Sequence, residues 1–155
     1  MKAIIYYRMS SDQQVDSIER QKGEGEPVVE REKYELVAEP YIDKGKSGSK
    51  NRSKRMAFLR MMRDIERGLQ VDVLVLWDLS RFTRENPFKA AEFYALLMDK
   101  GIMIHDCKMG RIDLRTQQGR MIVNLIQEQN HAYSTGLSEN STSGRRQLLK
   151  HGWWV

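Results

Sequence analysis

Cysteine and long apolar runs are both scarce in this sequence. Cys107 is the single cysteine among 155 residues, which excludes an internal disulfide and a cysteine-based zinc site. The apolar run at residues 3–7 is too short for the core of a secretory signal or for a membrane span. Charged residues make up 30% of the chain and the mean hydropathy is −0.63, so an integral membrane protein is also excluded. These features predict a soluble protein of a reducing compartment.

Hydrophobic residues still make up 40% of the chain, enough for one core at a length typical of a single domain. Residues 71–77 form the most continuous apolar run, which is typical of a central strand buried on both faces of a parallel sheet. The hydrophobic pattern predicts further strands over 2–7, 36–42 and 102–105, and helices from Ser17, over 56–67 and over 87–100. Gly23, Gly25 and Pro27 are expected to interrupt the first of these helices.

A long helical pattern follows, from residue 117 to about residue 149. Its apolar stripe contains Met121, Ile122, Leu125, Ile126, Gln129, Tyr133 and Leu137. A continuous helix of this length would project beyond its own domain and pack on a partner, although Gly136 and residues 140–144 could equally divide it in two. The whole pattern predicts an α/β fold with a layered, mostly parallel central sheet of about four to five strands, flanking helices and a long C-terminal helix.

Positive charge is concentrated in the middle of the chain. The net charge is +5, yet residues 44–84 alone hold eleven basic and four acidic side chains, or +7, while residues 1–43 hold six basic and ten acidic ones. Such a segment indicates a positive face for a polyanion such as DNA, although a solvated surface of lysine and arginine explains it equally well. The candidate contacts to the DNA backbone are Lys44, Lys46, Lys50, Arg52 and Lys54.

Serine and arginine side chains follow two of the predicted strands. Arg8 and Ser10 follow the first strand, and Arg81 and Arg84 follow the strand at 71–77. Parallel strands end at one edge of a sheet, so these residues can meet there, close to Arg55. Several guanidinium groups would stabilise a serine alkoxide and bind the oxygens of a phosphodiester, which is a basis for phosphoryl transfer without a metal. On these residues alone, a serine in a turn and arginines on a surface are the more common explanation.

Several motifs in order resemble the catalytic domain of the serine recombinases, the resolvase/invertase family. They are YYRMSSDQQ, SIERQ, DKGKSG and DLSRFTREN, and they extend over nearly all of the chain with the later IDLRTQQGRMI. The later motif and the ending at GWWV resemble the large serine recombinase branch, which includes phage integrases and transposon recombinases, more than the small resolvases. Ser80, Ser134, Gly136 and Asn140 differ from the small resolvases, a difference we interpret as one between subfamilies.

The resemblance implies site-specific DNA recombination by a resolvase-like domain. Ser10 would attack a DNA phosphodiester, giving a 5′-phosphoserine link and a free 3′-hydroxyl. Arg8, Arg81, Arg84 and Arg55 match the active-site arginines of the family. The positions expected to support the site are Tyr6, Gln21, Asp43 and Ser47. No metal ion, nucleotide or other cofactor is expected, because the phosphoserine link conserves the energy of the broken bond.

The resemblance also implies partners and a domain order. DNA is the expected partner, together with self-association into a dimer and a synaptic tetramer through the long helix, and no membrane is expected. The protein is expected in the cytoplasm, encoded by a bacterium, a phage or another mobile element. Residues 1–116 would form the catalytic domain and residues 117–150 the helix for oligomerisation. Residues 151–155 would then begin a DNA-binding region that is missing here.

The sequence leaves alternatives open. Ser11 lies beside Ser10, although the register of the motif favours Ser10 as the nucleophile. The same fold could serve as a catalytically inactive module for oligomerisation or regulation, and a phosphoesterase that releases free phosphate is a third possibility. Trp77 is expected in the core, together with five methionines at helical spacing: Met56, Met61, Met62, Met98 and Met121. The histidines show no spacing typical of metal ligands.

Overall fold

The computed structural model describes residues 1–9, 18–44, 55–79 and 87–129 of the chain. Within these ranges the strands are β1 (Lys2–Arg8), β2 (Glu35–Leu36), β3 (Tyr41–Asp43), β4 (Val73–Leu76), β5 (Met103–Asp106) and β6 (Gly110–Ile112). The helices are α1 (Ile18–Arg31), α2 (Met56–Glu66), α3 (Pro87–Asp99) and α4, which is helical from 117 through 129. No helix among these residues is both long and apolar enough to cross a membrane.

A single mixed sheet organises the described residues in the order β2-β1-β4-β5-β6. β4 is the central strand and pairs in parallel with β1 on one side and β5 on the other. β2 and β3 both pair in parallel with the outer edge of β1, at its beginning and its end. Only β6 among the described strands runs antiparallel, next to β5. The predicted α/β fold with a mostly parallel sheet is therefore confirmed.

Alternate residues of β1 and β4 face two separate hydrophobic clusters. Ile4 and Leu74 contribute to the larger cluster with side chains from α2, α3 and α4, whereas Ile5 and Val75 contribute to a smaller one with α1. All four side chains are at most 1% exposed. The sheet is thus covered by helices on both faces, which explains why the central strand is apolar at every position.

Two predictions about the elements differ from the structure. The predicted strand at 36–42 is two short strands, β2 and β3, and residues 37–40 between them are not part of a strand. The interruption predicted at Gly23, Gly25 and Pro27 is wrong, since α1 continues from Ile18 through Arg31. Gly25 is buried, and a β-carbon there would lie 2.9 Å from the Tyr7 hydroxyl, so this glycine allows the helix to approach the sheet.

The prediction that all five methionines lie in the core is also wrong. Met61 is completely buried and Met62 packs against the larger cluster, but Met56, Met98 and Met121 are exposed. Helix α4 packs on the domain through Val123 and Ile126 and carries a second apolar face in solvent. Trp77 is 5% exposed, as predicted for a core residue.

Candidate active site at the carboxyl edge of the sheet

Asp43, the last residue of β3, binds the first turn of α2. Its Oδ1 accepts a hydrogen bond from the Ala57 amide at 2.9 Å, and its Oδ2 accepts one from the Phe58 amide at 3.1 Å. The first amides of a helix have no partner within the helix, and a carboxylate also interacts favourably with the helix dipole. Asp43 therefore fixes the start of α2, and with it Arg55, against the end of the sheet.

Tyr6 and Arg55 complete a chain of hydrogen bonds with this carboxylate. The Tyr6 hydroxyl donates to Asp43 Oδ2 at 2.8 Å and accepts from Arg55 Nε at 3.1 Å. The Arg55 guanidinium carbon lies 4.2 Å from the centroid of the Phe58 ring and 5.4 Å from that of Tyr6, so both rings support it. Burial raises the pKa of Tyr6 against the opposing effect of the Arg55 charge. The phenol therefore stays neutral and orients Arg55.

Gln21 of α1 holds the end of β1. The side chain is 3% exposed, and its Oε1 accepts from the Arg8 amide at 3.1 Å while its Nε2 donates to the Arg8 carbonyl at 2.8 Å. On the other side, Arg8 is paired with Asp43 in the sheet, and the Met9 amide donates to the Asp43 carbonyl at 2.9 Å. The backbone is therefore held from both sides up to the residue before Ser10.

Each of the three residues after β4, Trp77 to Leu79, makes a hydrogen bond that involves a side chain of another element or turn. Trp77 Nε1 donates to Glu24 of α1 at 2.7 Å. Asp78 accepts from Lys108 Nζ at 2.6 Å, and the same ammonium lies 4.5 Å from the centroid of the Trp77 ring. The next amide, that of Leu79, donates to the carboxylate of Asp106 at 2.7 Å. These contacts fix the backbone up to the residue before Ser80.

The ends of β1 and β4 lie side by side at this edge, because Tyr6 and Leu76 are paired in register. Among the predicted site residues, the structure brings Tyr6, Asp43 and Arg55 into contact and holds Arg8 next to them through Gln21. Lys44 is exposed at the end of β3. The remaining predicted site and DNA-contact residues lie outside the described residues: Ser10, Lys46, Ser47, Lys50, Arg52, Lys54, Arg81 and Arg84.

Three residues at this edge were not selected from the sequence: Glu24, Asp106 and Lys108. Each contacts one of the three residues that follow β4. Asp106 had a weak signal in the sequence, since it is an acidic residue at the end of an apolar strand and Gly110 follows four positions later. Glu24 and Lys108 look like ordinary surface charges in the sequence.

Comparison with known proteins gives one family. The sequence model described as "Resolvase, N terminal domain" matches residues 3–154. A search of curated proteins found no match. Among solved structures, a resolvase family site-specific recombinase from Streptococcus pneumoniae is 25% identical with a TM-score of 0.66, over 97% of this chain and 99% of that one.

Two further solved structures share the fold. The N-terminal catalytic domain of TP901-1 integrase is 22% identical with a TM-score of 0.62, over 87% of this chain and 98% of that one. The C-terminal catalytic domain of ISC1926 TnpA, an IS607-like serine recombinase, is 20% identical with a TM-score of 0.54, over 83% of this chain and 97% of that one.

Proposed function

The chain belongs to the resolvase family of site-specific recombinases, and from that premise we propose that it cleaves and rejoins DNA through a covalent link to Ser10. The Ser10 hydroxyl oxygen attacks a backbone phosphorus and loses its proton. The bond from phosphorus to the 3′ oxygen breaks, and that oxygen takes a proton to become a free 3′-hydroxyl. A 3′-hydroxyl of another strand then attacks the phosphoserine, which restores both the phosphodiester and the serine.

The observation that carries this proposal is the hydrogen-bonded chain from Asp43 through Tyr6 to Arg55, next to the end of β1. These hydrogen bonds support a fixed orientation of the Arg55 guanidinium beside the end of β1, and Ser10 follows β1 in the sequence. Arg55 and Arg8, with Arg81 and Arg84 from the segment after β4, would offset the charge on the phosphate as the pentavalent state forms. Positive charge from arginine would allow the reaction to proceed without a metal ion.

Supporting roles follow from the same contacts. Tyr6 and Asp43 would act as positioning residues for Arg55. Arg55 Nε donates to the Tyr6 hydroxyl, and that hydroxyl donates in turn to Asp43 Oδ2. Gln21 would position Arg8 through the backbone. Ser47 is assigned to the site by the family motif alone.

DNA would be bound through its phosphates. The excess of basic residues between 44 and 84 supports a positive face near the site, with Lys44, Lys46, Lys50, Arg52 and Lys54 as the proposed contacts. Such contacts give little sequence preference and weaken as salt is added.

Self-association would use the outer face of α4. Met121 is 64% exposed and Leu125 62%, and both lie on the side of the helix away from the buried Val123 and Ile126, while Ile122, 40% exposed, borders the buried face. Apolar side chains at this spacing favour packing against the same helix of a second copy. We expect this pairing to give a dimer and then the tetramer that brings two DNA sites together, with residues 117–150 as the helix for oligomerisation.

The experiment that tests the proposal traps the covalent intermediate. The full chain is fused to a sequence-specific DNA-binding domain and offered a duplex with sites for that domain around a nicked spacer. The products are then separated on a denaturing gel. A protein–DNA band is expected for the parent and for Ser11→Ala, but not for Ser10→Ala. The absence of any adduct, although the DNA is bound, would favour the inactive oligomerisation module.

The third possibility has its own readout. A phosphoesterase would release free phosphate from small phosphate esters in many turnovers. The proposed recombinase releases none, because its phosphoserine intermediate waits for a DNA hydroxyl.

A further inference from the structure

Asp106 carries a buried carboxylate that belongs to neither the Asp43–Tyr6–Arg55 chain nor the Arg8–Gln21 contact. It ends β5, its exposed fraction is 0%, and its side chain accepts three backbone hydrogen bonds. Oδ1 accepts from the amides of Lys108 and Met109 at 2.7 and 2.9 Å, within the turn to β6. Oδ2 accepts from the amide of Leu79 at 2.7 Å, which lies 27 residues away in the sequence.

Removing a carboxylate from water is costly unless hydrogen bonds compensate the charge. The turn after β5 has a local device of its own, since Gly110 reverses the chain with a φ of +85°. Contacts within the turn use only Oδ1 of Asp106. The bond from Oδ2 to Leu79 therefore serves the chain leaving β4, not the turn.

A second contact joins the same two segments. Lys108 lies in the turn fixed by Asp106 and donates to Asp78, the residue before Leu79. These two contacts, Asp106 to Leu79 and Lys108 to Asp78, form the β4-exit bracket. It fixes consecutive residues immediately ahead of residues 80–86, the stretch of sequence that contains Arg81 and Arg84.

We propose that Asp106 is a positioning residue for Arg81 and Arg84, acting through the Leu79 amide. This inference rests on the proposed function, in which those arginines bind the reacting phosphate. Catalytic groups must be held within about 0.5 Å of the productive geometry, and Arg81 lies only two residues beyond the anchored amide. A loose start to this segment would misplace both guanidiniums and leave the rest of the site intact.

The first test measures the bracket itself, without DNA. Hydrogen exchange of the Leu79 amide is followed by NMR in the parent and in Asp106→Asn, which has the same shape but replaces one carboxylate oxygen with an amide nitrogen. We expect exchange at Leu79 to become about tenfold faster or more, as for the loss of one hydrogen bond to a charged group, while amides within β4 stay protected. Unchanged protection of Leu79 would overturn the inference.

The second test compares cleavage with binding in the fused protein of the adduct assay. In Asp106→Asn we expect adduct formation by the bound complex to be about tenfold slower or more, with unchanged affinity for DNA. The matched control is Asp72→Asn, because the Asp72 carboxylate also accepts a backbone hydrogen bond, from Lys2 at 2.7 Å, but at the opposite end of β4. Equal adduct rates in the two variants would overturn the inference.

Two further outcomes distinguish a failure of this inference from misfolding and from a failure of the proposed function. If hydrogen exchange at the β4 amides also becomes faster in Asp106→Asn, the variant Lys108→Met is used instead. The Lys108 side chain is exposed and can be changed without opening the core. This variant is expected to loosen Leu79 and slow adduct formation to a smaller extent, and no effect on either would overturn the inference. If the parent forms no adduct, the proposed function fails, and the exchange at Leu79 decides whether the bracket exists.

Discussion

Tyr6 and Asp43 are joined by a hydrogen bond of 2.8 Å between two strands that are adjacent in the sheet but 37 residues apart in sequence. The Asp43 oxygen that accepts it, Oδ2, also accepts the Phe58 amide at the start of α2. One carboxylate therefore fixes a helix and orients the tyrosine that contacts Arg55. As a result, stability and the geometry of the candidate site depend on the same atom.

Replacing Asp43 with alanine should destabilise the protein more than the loss of an ordinary helix cap. Asp43→Ala removes the acceptor of two helix amides and of the Tyr6 hydroxyl, for an expected loss of about 2–3 kcal/mol in the free energy of unfolding. The control is Thr116→Ala, which removes the cap bond from the Gly119 amide at the start of α4 and the bond that the same hydroxyl donates to the Asp113 carbonyl, and it should cost about 1 kcal/mol. Urea unfolding measures both, and equal losses would contradict a joint role for Asp43.

Removing the Tyr6 hydroxyl should slow the reaction without weakening DNA binding. Tyr6→Phe keeps the ring beside Phe58 but removes the oxygen that accepts from Arg55 Nε. We expect adduct formation to fall about tenfold, since one oriented hydrogen bond to a charged group is lost. The measurement is the single-turnover rate on the nicked duplex at saturating protein.

Tyr41→Phe is the matched control for that variant. Tyr41 is paired with Tyr6 across the strands, but its hydroxyl donates to Asp64 at 2.8 Å, away from Arg55. Burial raises the pKa of Tyr41 to about 12, so both variants remove a neutral hydroxyl. A similar drop in rate for Tyr41→Phe would show that the effect is one of general packing.

Much of the fold could be predicted because its signals are local. The helix predicted over 56–67 is α2 at Met56–Glu66, and Gly68 follows it with a φ of +99°, as expected of a glycine that ends a helix. The central strand was recognisable because β4 is buried on both faces and therefore apolar throughout. The continuation of α1 through Pro27 was not predictable in this way, because glycine and proline are local signals for a break, whereas the close approach of Gly25 to Tyr7 is a contact between distant residues.

The candidate site was only partly accessible to sequence analysis. Motifs predicted Tyr6, Asp43 and Arg55 as site positions, but the pattern of residues does not show that Asp43 also accepts the first amides of α2. Asp106 was missed because its partner Leu79 lies on another strand exit, and a contact between distant residues leaves no periodic signal. Long-range hydrogen bonds of this kind decide the geometry of the site.

Two glycines of α1 should respond in opposite directions to substitution by alanine. A β-carbon at Gly25 would lie 2.9 Å from the Tyr7 hydroxyl and 3.3 Å from its Cε1, so Gly25→Ala should lower the free energy of unfolding by about 1–3 kcal/mol. Nothing lies within 4 Å of a β-carbon at Gly23, so Gly23→Ala should raise it by about 0.5–1 kcal/mol through helix propensity. Thermal and urea unfolding test the pair, and a loss of stability in both would contradict the packing argument.

The stability of the protein should fall on acidification because of His105. This side chain is 3% exposed, and its Nδ1 lies 2.9 Å from the Tyr34 hydroxyl, which accepts from Arg111 Nε at 2.9 Å. A neutral ring protonated at Nε2 can accept the Tyr34 proton at Nδ1, whereas a cationic ring would place a second positive charge beside the hydroxyl that already accepts from Arg111.

Burial lowers the pKa of His105, with Arg111 and Arg31 acting in the same direction, while Glu32 and Asp106 oppose them. The unfolded chain, with a pKa of about 6.5 for this histidine, then binds the proton more readily than the folded one. The contribution of His105 to stability is therefore fully present above about pH 6.5 and is lost progressively as the pH falls toward the lowered pKa of the folded state.

The variant His105→Asn tests this pH dependence. Its amide oxygen can accept from Tyr34 near the position of Nδ1, but it does not titrate. Urea unfolding at a series of pH values should show a shallower loss of stability below about pH 6.5 in the variant than in the parent. Because His131 and His151 are present in both proteins, their effects cancel in the difference between the two curves. Parallel curves would mean that the buried network around Tyr34 does not control the acid response.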